Sequence, residues 1–243
     1  MLIDLVVLKV PKYGVSEAGD TVEVVERPGG GLSAVIVDGQ GSGPAAKNIS
    51  SSVATKAAGL IAEGVRDGAA ARAVHDYLRA HRRAKVQASL AILSADLGGQ
   101  VLVACRNTEC PVLFVAGEGV VETENTASPI IGVHRMVRPV VTRRPLSAAG
   151  GMVTFTDGIL TAGRRQGKPL ALEGVAALVR AAWTQGAGPT ARALLGAALE
   201  ADAGRPEDDV TVVVLKIEPD GDRAVREMHV RYPLARLHGG GGF

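Results

Sequence analysis

Short β-branched apolar runs open, interrupt and close this chain, with helix-spaced apolar stripes between them. Strand patterns cover residues 2–10, 21–26 and 32–37, separated by Pro11-Lys12-Tyr13-Gly14 and by Pro28-Gly29-Gly30-Gly31. These breaks are of hairpin length or slightly longer, so antiparallel neighbours are expected. Two helices follow. Over 44–63 the larger apolar residues Ile49, Val53, Ala57, Leu60 and Ile61 recur at helical spacing, and over 68–81 Ala70, Val74, Tyr77 and Leu78 do the same, with Asp67 placed as N-cap. The middle reads as strands at 85–93, 100–105, 111–115, 119–124, 134–142 and 152–156. Helices are expected at 170–185 and 189–201, then strands at 210–217 and 224–232. Strands grouped in this way, with helices between and after them, predict an α+β domain of two packed antiparallel sheets covered by helices. A doubly wound parallel fold would need strict alternation. One domain is expected over 1–236, followed by a loose Gly-rich tail at 237–243.

Composition narrows the function. Of 243 residues, 47% are hydrophobic and 21% charged, which is the balance of a globular chain rather than a disordered one. A net charge of +2 and 3% aromatic residues give nucleic acid little to bind or stack on. No apolar run approaches the ~18 residues of a bilayer span. The N-terminal run carries Asp4 and has no basic flank, so a soluble cytoplasmic protein is expected. Cys105 and Cys110 fit either a bridge across a hairpin or a pair of reduced thiols, and the cytoplasmic reading favours the thiols.

The candidate chemistry lies where strands meet aspartates. The run 35–37 ends in Asp38, followed by Gly39, Gly41 and Gly43. The run 152–156 leads into Asp157-Gly158. Asp208-Asp209 opens 210–217, and Asp20 precedes 21–26. Each alone has a plain reading, since Asp-Gly is a common turn and paired aspartates are commonly solvated. Together, strand-end carboxylates converging at one rim would suit hard divalent cations, which take oxygen ligands. The loop 39–43 lacks P-loop spacing, and no acidic residue on a strand follows it as a dinucleotide fold requires. The five histidines show no metal-ligand spacing, and Ser50-Ser51-Ser52 sits inside a helix rather than at a nucleophile elbow.

The ordered series Ala18-Gly19-Asp20, Val37-Asp38-Gly39-Gln40-Gly41-Ser42-Gly43-Pro44, Arg106-Asn107, Phe155-Thr156-Asp157-Gly158 and Pro206-Glu207-Asp208-Asp209-Val210-Thr211 resembles the bacterial PP2C-like, metal-dependent protein phosphatases of the sporulation protein E type. The resemblance implies an α-β-β-α sandwich and a site for two Mn²⁺ or Mg²⁺ ions. Asp38 would bridge both ions and the Gly39 carbonyl would bind one. Asp20 would serve the second, directly or through water, Asp157 and Asp208 would serve the first, and Asp209 would support them as a neighbour. The implied reaction is hydrolysis of phosphoserine or phosphothreonine on a protein by a hydroxide held between the metals. The implied partner is a phosphorylated regulator of a stress or sporulation partner-switching pathway, such as an anti-sigma-factor antagonist, and the chain resembles the stand-alone members. In the family, the two helices after the Asp-Gly loop carry regulation.

Two positions depart from the family pattern. Gln40 stands where relatives have Met or His, and it cannot titrate. Gly150-Gly151 stands where relatives often have Gly-Asp. Two other readings compete: a non-catalytic pseudophosphatase that binds phosphoproteins, which would not need all four aspartates, and a nucleotide- or calcium-binding module using the Gly-rich loop. The oligomeric state is left open.

Overall fold

The structure, a computed structural model, describes residues 1–117, 119–147, 150–219 and 226–232. Its strands are β1 (Leu2–Val10), β2 (Thr21–Glu26), β3 (Gly31–Gly39), β4 (Ala88–Asp96), β5 (Val101–Asn107), β6 (Val112–Ala116), β7 (Val120–Glu124), β8 (Val140–Pro145), β9 (Gly151–Phe155) and β10 (Val210–Glu218). Helices α1 (Gly43–Ala62) and α2 (Asp67–His81) follow β3. Helices α3 (Gly158–Thr161), α4 (Leu172–Ala182) and α5 (Ala187–Ala201) lie between β9 and β10. Two five-stranded sheets result, ordered β1-β10-β9-β6-β7 and β2-β3-β4-β5-β8, with every pairing antiparallel.

Side-chain alternation explains the four layers. Successive strand residues face opposite sides, and in the central strands both sides are apolar. Val35 and Val37 of β3 pack with Val53, Ala57 and Ile61 of α1 and with Val74 and Leu78 of α2. Their neighbours Ala34 and Ile36 pack instead with Phe114, Met152, Val213 and Leu215 of the other sheet. On the far side, Val153, Phe155, Val212 and Val214 lie under Val175, Val179 and Leu194 of α4 and α5. Burying strands on both faces favours continuous β-branched runs over alternation, as seen in Val212, Val213 and Val214.

Three expectations are corrected. The strand expected over 134–142 begins only at Val140, because Pro139 has no N–H for a ladder and 132–139 run irregularly before it. The strand expected over 224–232 does not form in its described part, 226–232, which is exposed and pairs with no sheet. The tail at 237–243 lies outside the described residues. Asp67 is not the N-cap of α2. That position is Arg66, which makes no side-chain cap.

Asp67 holds α2 to the sheet beneath it. Its Oδ1 lies 3.0 Å from Arg27 Nη1 and accepts from Ser94 Oγ at 2.7 Å, while the same guanidinium nitrogen donates to Ser33 Oγ at 2.8 Å. Both partners are nearly sealed, so removing the carboxylate would strand a buried cation. Asp67→Ala is expected to cost about 3–5 kcal/mol in urea unfolding. A loss below about 1 kcal/mol, typical of an exposed pair, would contradict this role.

Candidate active site

The site is built at the end of β3. By alternation Asp38 faces the same way as Ala34 and Ile36, toward the other sheet, but it sits one step beyond the apolar core at the rim. The chain then crosses under α1. A Cβ on Gly39 would lie 2.3 Å from the Ala46 carbonyl oxygen, so only glycine allows the helix to approach this closely. Gly41 follows at φ +96°, turning the strand into the helix. Asp157 leaves the end of β9 and Asp208 precedes β10. These residues, with Gly39 and Gln40, line one cleft of about 370 Å³.

The structure thus brings together Asp38, Gly39, Asp157 and Asp208. Asp20 stands behind them. It is 1% exposed and does not line the cleft. One of its carboxylate oxygens, Oδ2, accepts from Thr156 Oγ1 at 2.9 Å and from the Thr211 hydroxyl, while Oδ1 is buried with no hydrogen-bond partner among the described residues. Asp209 is turned away from the cleft. Its two oxygens accept main-chain N–H groups of Lys12 at 2.8 Å and Gly19 at 2.6 Å, which holds the loop before Asp20 in place.

Like charges crowd this rim. Burial foremost, then the carboxylates of Asp20, Asp157, Asp208 and Asp209, push Asp38 up to about 8. Asp20 is raised to about 6, mainly by burial, against the opposing pull of the Thr211 and Thr156 hydroxyls. Asp157 is raised by burial and by Asp208, and Arg164 partly offsets the rise. No Lys, Arg or His is among the described residues lining the cleft. Clustered carboxylates with no cation among the described residues lining their cleft, and a buried Asp20 oxygen without a donor, form an oxygen-only set that fits hard divalent cations. Among the described residues no three of His, Cys, Asp and Glu close into a compact ligand group.

The cleft wall depends on residues whose roles the sequence did not disclose. Arg106 is 1% exposed. Its guanidinium donates to the carbonyls of Cys110 and Thr126, both at 2.9 Å, and lies 3.5 Å from Glu124, so it braces the 107–110 turn and is not available to a phosphate. Asn107 Nδ2 donates to the Pro129 carbonyl at 2.8 Å, fixing the adjoining segment. The hydroxyls of Thr156 and Thr211 come together only when β9 and β10 pair. Cys105 and Cys110 are free thiols, buried and pushed up to about 12 by desolvation.

Comparison with known proteins fits this geometry. The sequence matches stage II sporulation protein E over residues 28–218. The chain belongs to the stage II sporulation protein E family. This is a family of PP2C-like serine/threonine phosphatase domains, and the two five-stranded sheets with flanking helices are the PP2C fold. Among solved structures, the phosphatase domain and a regulatory fragment of sporulation protein E from Bacillus subtilis superimposes with TM-score 0.75 at 19% identity. That match covers 89% of this chain and 64% of the Bacillus chain, so this chain spans less than two thirds of it. RsbX in complex with magnesium matches with TM-score 0.68 at 14% identity, over 89% of this chain and 96% of that one. A structure from the bacterial stressosome, described as a modular system adapted to control secondary messenger signalling, matches with TM-score 0.66 at 20% identity, over 88% and 100%. At these identities the likeness is one of fold. Comparison with curated protein sequences returns no match. Among the described residues no helix is long and apolar enough to cross a membrane.

The raised carboxyls make the metal-free protein sensitive to pH. A carboxyl whose folded pKa exceeds its ordinary 3.8 holds its proton more tightly when folded. Its contribution to stability is therefore present at pH 4 and is lost as pH rises through about 6 for Asp20 and about 8 for Asp38. In EDTA the urea midpoint is expected to fall between pH 5 and pH 8.5, and Asp38→Asn is expected to flatten that fall. A midpoint that rises over this interval would contradict the crowding of charge.

Proposed function

We propose that this chain is a metal-dependent protein serine/threonine phosphatase, cleaving phosphoserine and phosphothreonine esters on a regulatory protein. One observation carries the reading: four carboxylates, those of Asp38, Glu109, Asp157 and Asp208, and no cationic side chain among the described residues line the cleft of a chain that belongs to a phosphatase family. A phosphate dianion is repelled from such a wall unless cations lie between.

Asp38, placed centrally, would hold two ions, joined by the Gly39 carbonyl, Asp157 and Asp208, with Asp20 behind Asp38 serving the second ion directly or through water. When bound, Mn²⁺ or Mg²⁺ supplies activated water and offsets charge on the phosphoryl oxygens. The chain's own residues do the rest. Asp209 sets the height of the Asp20 loop through the Lys12 and Gly19 amides. Thr156 and Thr211 fix the Asp20 carboxylate from the facing sheet. Gln40 cannot give up a proton, so protonation of the departing serine or threonine oxygen falls to water.

The substrate proposed is a phosphorylated regulator of a partner-switching pathway, such as an anti-sigma-factor antagonist. The fold shared with sporulation protein E, RsbX and a stressosome protein supports that class.

The test is hydrolysis of p-nitrophenyl phosphate by the purified chain. Turnover is expected with Mn²⁺, is abolished by EDTA, and falls at least 100-fold in Asp38→Asn, about the loss typical when a central charge-stabilising group is removed. Manganese binding without turnover, seen as a raised unfolding temperature, would overturn the enzyme reading in favour of a non-catalytic phosphoprotein-binding member of the family.

A further inference from the structure

Resting on the phosphatase reading, we infer that Gln40 is a phosphate-binding residue: its side-chain Nε2 donates a hydrogen bond to a non-bridging phosphoryl oxygen of the substrate. The argument begins with strand register. Asp38 pairs with Ser89 and Gly39 with Ala88, so Gln40 and Gln87 are next in line as the β3–β4 ladder reaches the cleft. The Gln40 main-chain N–H donates to the Gln87 carbonyl at 3.2 Å, as the ladder requires. The return bond goes to the side chain, with Gln87 N–H donating to Gln40 Oε1 at 3.1 Å.

This substitution has two effects. It lets the Gln40 backbone leave the ladder and turn at Gly41, whose φ of +96° begins the loop into α1. It also fixes which way the amide faces. A peptide N–H can be accepted only by the carboxamide oxygen, so Nε2 is left as the outward donor. Gln40 is exposed, its Nε2 bonds to no described residue and so faces solvent, and it lines the cleft beside Asp38, Asp157 and Asp208. A neutral donor suits this position. A Lys or Arg here would pair with the carboxylates and compete with metal cations for them, whereas an amide contributes a hydrogen bond to the anion without occupying the ligands.

Two substitutions separate the donor from the ladder-closing oxygen. Gln40→Glu keeps an oxygen for Gln87 N–H and loses the donor, while Gln40→Met loses both. The direct readout is binding of inorganic phosphate to the Mn²⁺-saturated chain by calorimetry. The supporting readouts are KM and kcat for p-nitrophenyl phosphate and manganese affinity. Phosphate affinity is expected to drop about tenfold in both variants, the scale of one hydrogen bond to a charged group. Manganese affinity in Gln40→Met should stay within about twofold, and KM should rise more than kcat falls. Phosphate affinity within twofold of wild type in both variants overturns the inference. So does full recovery by Gln40→Glu alone, which would show that only the ladder bond matters. A wild-type chain that binds phosphate but hydrolyses no ester overturns the phosphatase reading instead, and the phosphate affinities of the variants still decide the role of Gln40.

Discussion

The rim of this sandwich is held by one carboxylate bonded to two distant amides. Asp209, at the start of β10, accepts from Lys12 N and Gly19 N, the two sides of the loop that joins β1 to β2. β1 and β10 belong to one sheet and β2 to the other, so this single side chain fixes how the sheets meet at the site. The tie needs close approach. A Cβ on Gly19 would lie 2.7 Å from the Ala46 Cβ of α1. With the loop set, Asp20 reaches across the sandwich to the hydroxyls of Thr156 and Thr211.

That arrangement accepts an electrostatic cost. Packing Asp20, Asp38, Asp157 and Asp208 at one rim raises the pKa of the first three, with burial the largest cause and repulsion from neighbouring carboxylates adding to it, against the Thr211 and Thr156 hydroxyls at Asp20. A protein interior does not collect like charges without compensation. In a family of metal-dependent phosphatases the compensation is cationic, and on the function proposed above the crowding that weakens the metal-free rim would favour hard ions there. On that reading stability and metal affinity would be linked through the same carboxyls, as expected where charge is concentrated at a functional site.

The walls of the cleft are rigid for a different reason. Arg106 and Asn107 are spent on carbonyls of the turn and of the 126–129 segment, and the Gln40–Gln87 pair closes the ladder below them. On the helix side, Ala46, Ala54 and Ala57 of α1 are fully buried, and small side chains let the helix lie close over Gly39. The cleft is lined by strand ends and by the loops that leave them, and these hydrogen bonds and the closely seated helix hold those loops in place.

Much of this was legible in order of residues. The β-branched runs and helical stripes set the α+β sandwich, because burial on two faces leaves continuous apolar strands. The strand-end aspartates with their glycines marked Asp38, Asp157 and Asp208, because a carboxylate at the end of a buried strand must emerge at a rim. Local pattern failed where a proline or a distant partner intervened. Pro139 delayed β8, the stretch at 226–232 found no sheet, and Asp67 became the first residue of α2, its carboxylate bonded to Arg27 and Ser94 rather than capping the helix. Sequence determined which residues could carry the chemistry. Only the tertiary structure decided their rank, placing Asp20 behind the cleft, turning Asp209 to two amides and withdrawing Arg106 into the wall. Those outcomes depend on hydrogen bonds between residues up to 197 positions apart, which no local spacing encodes.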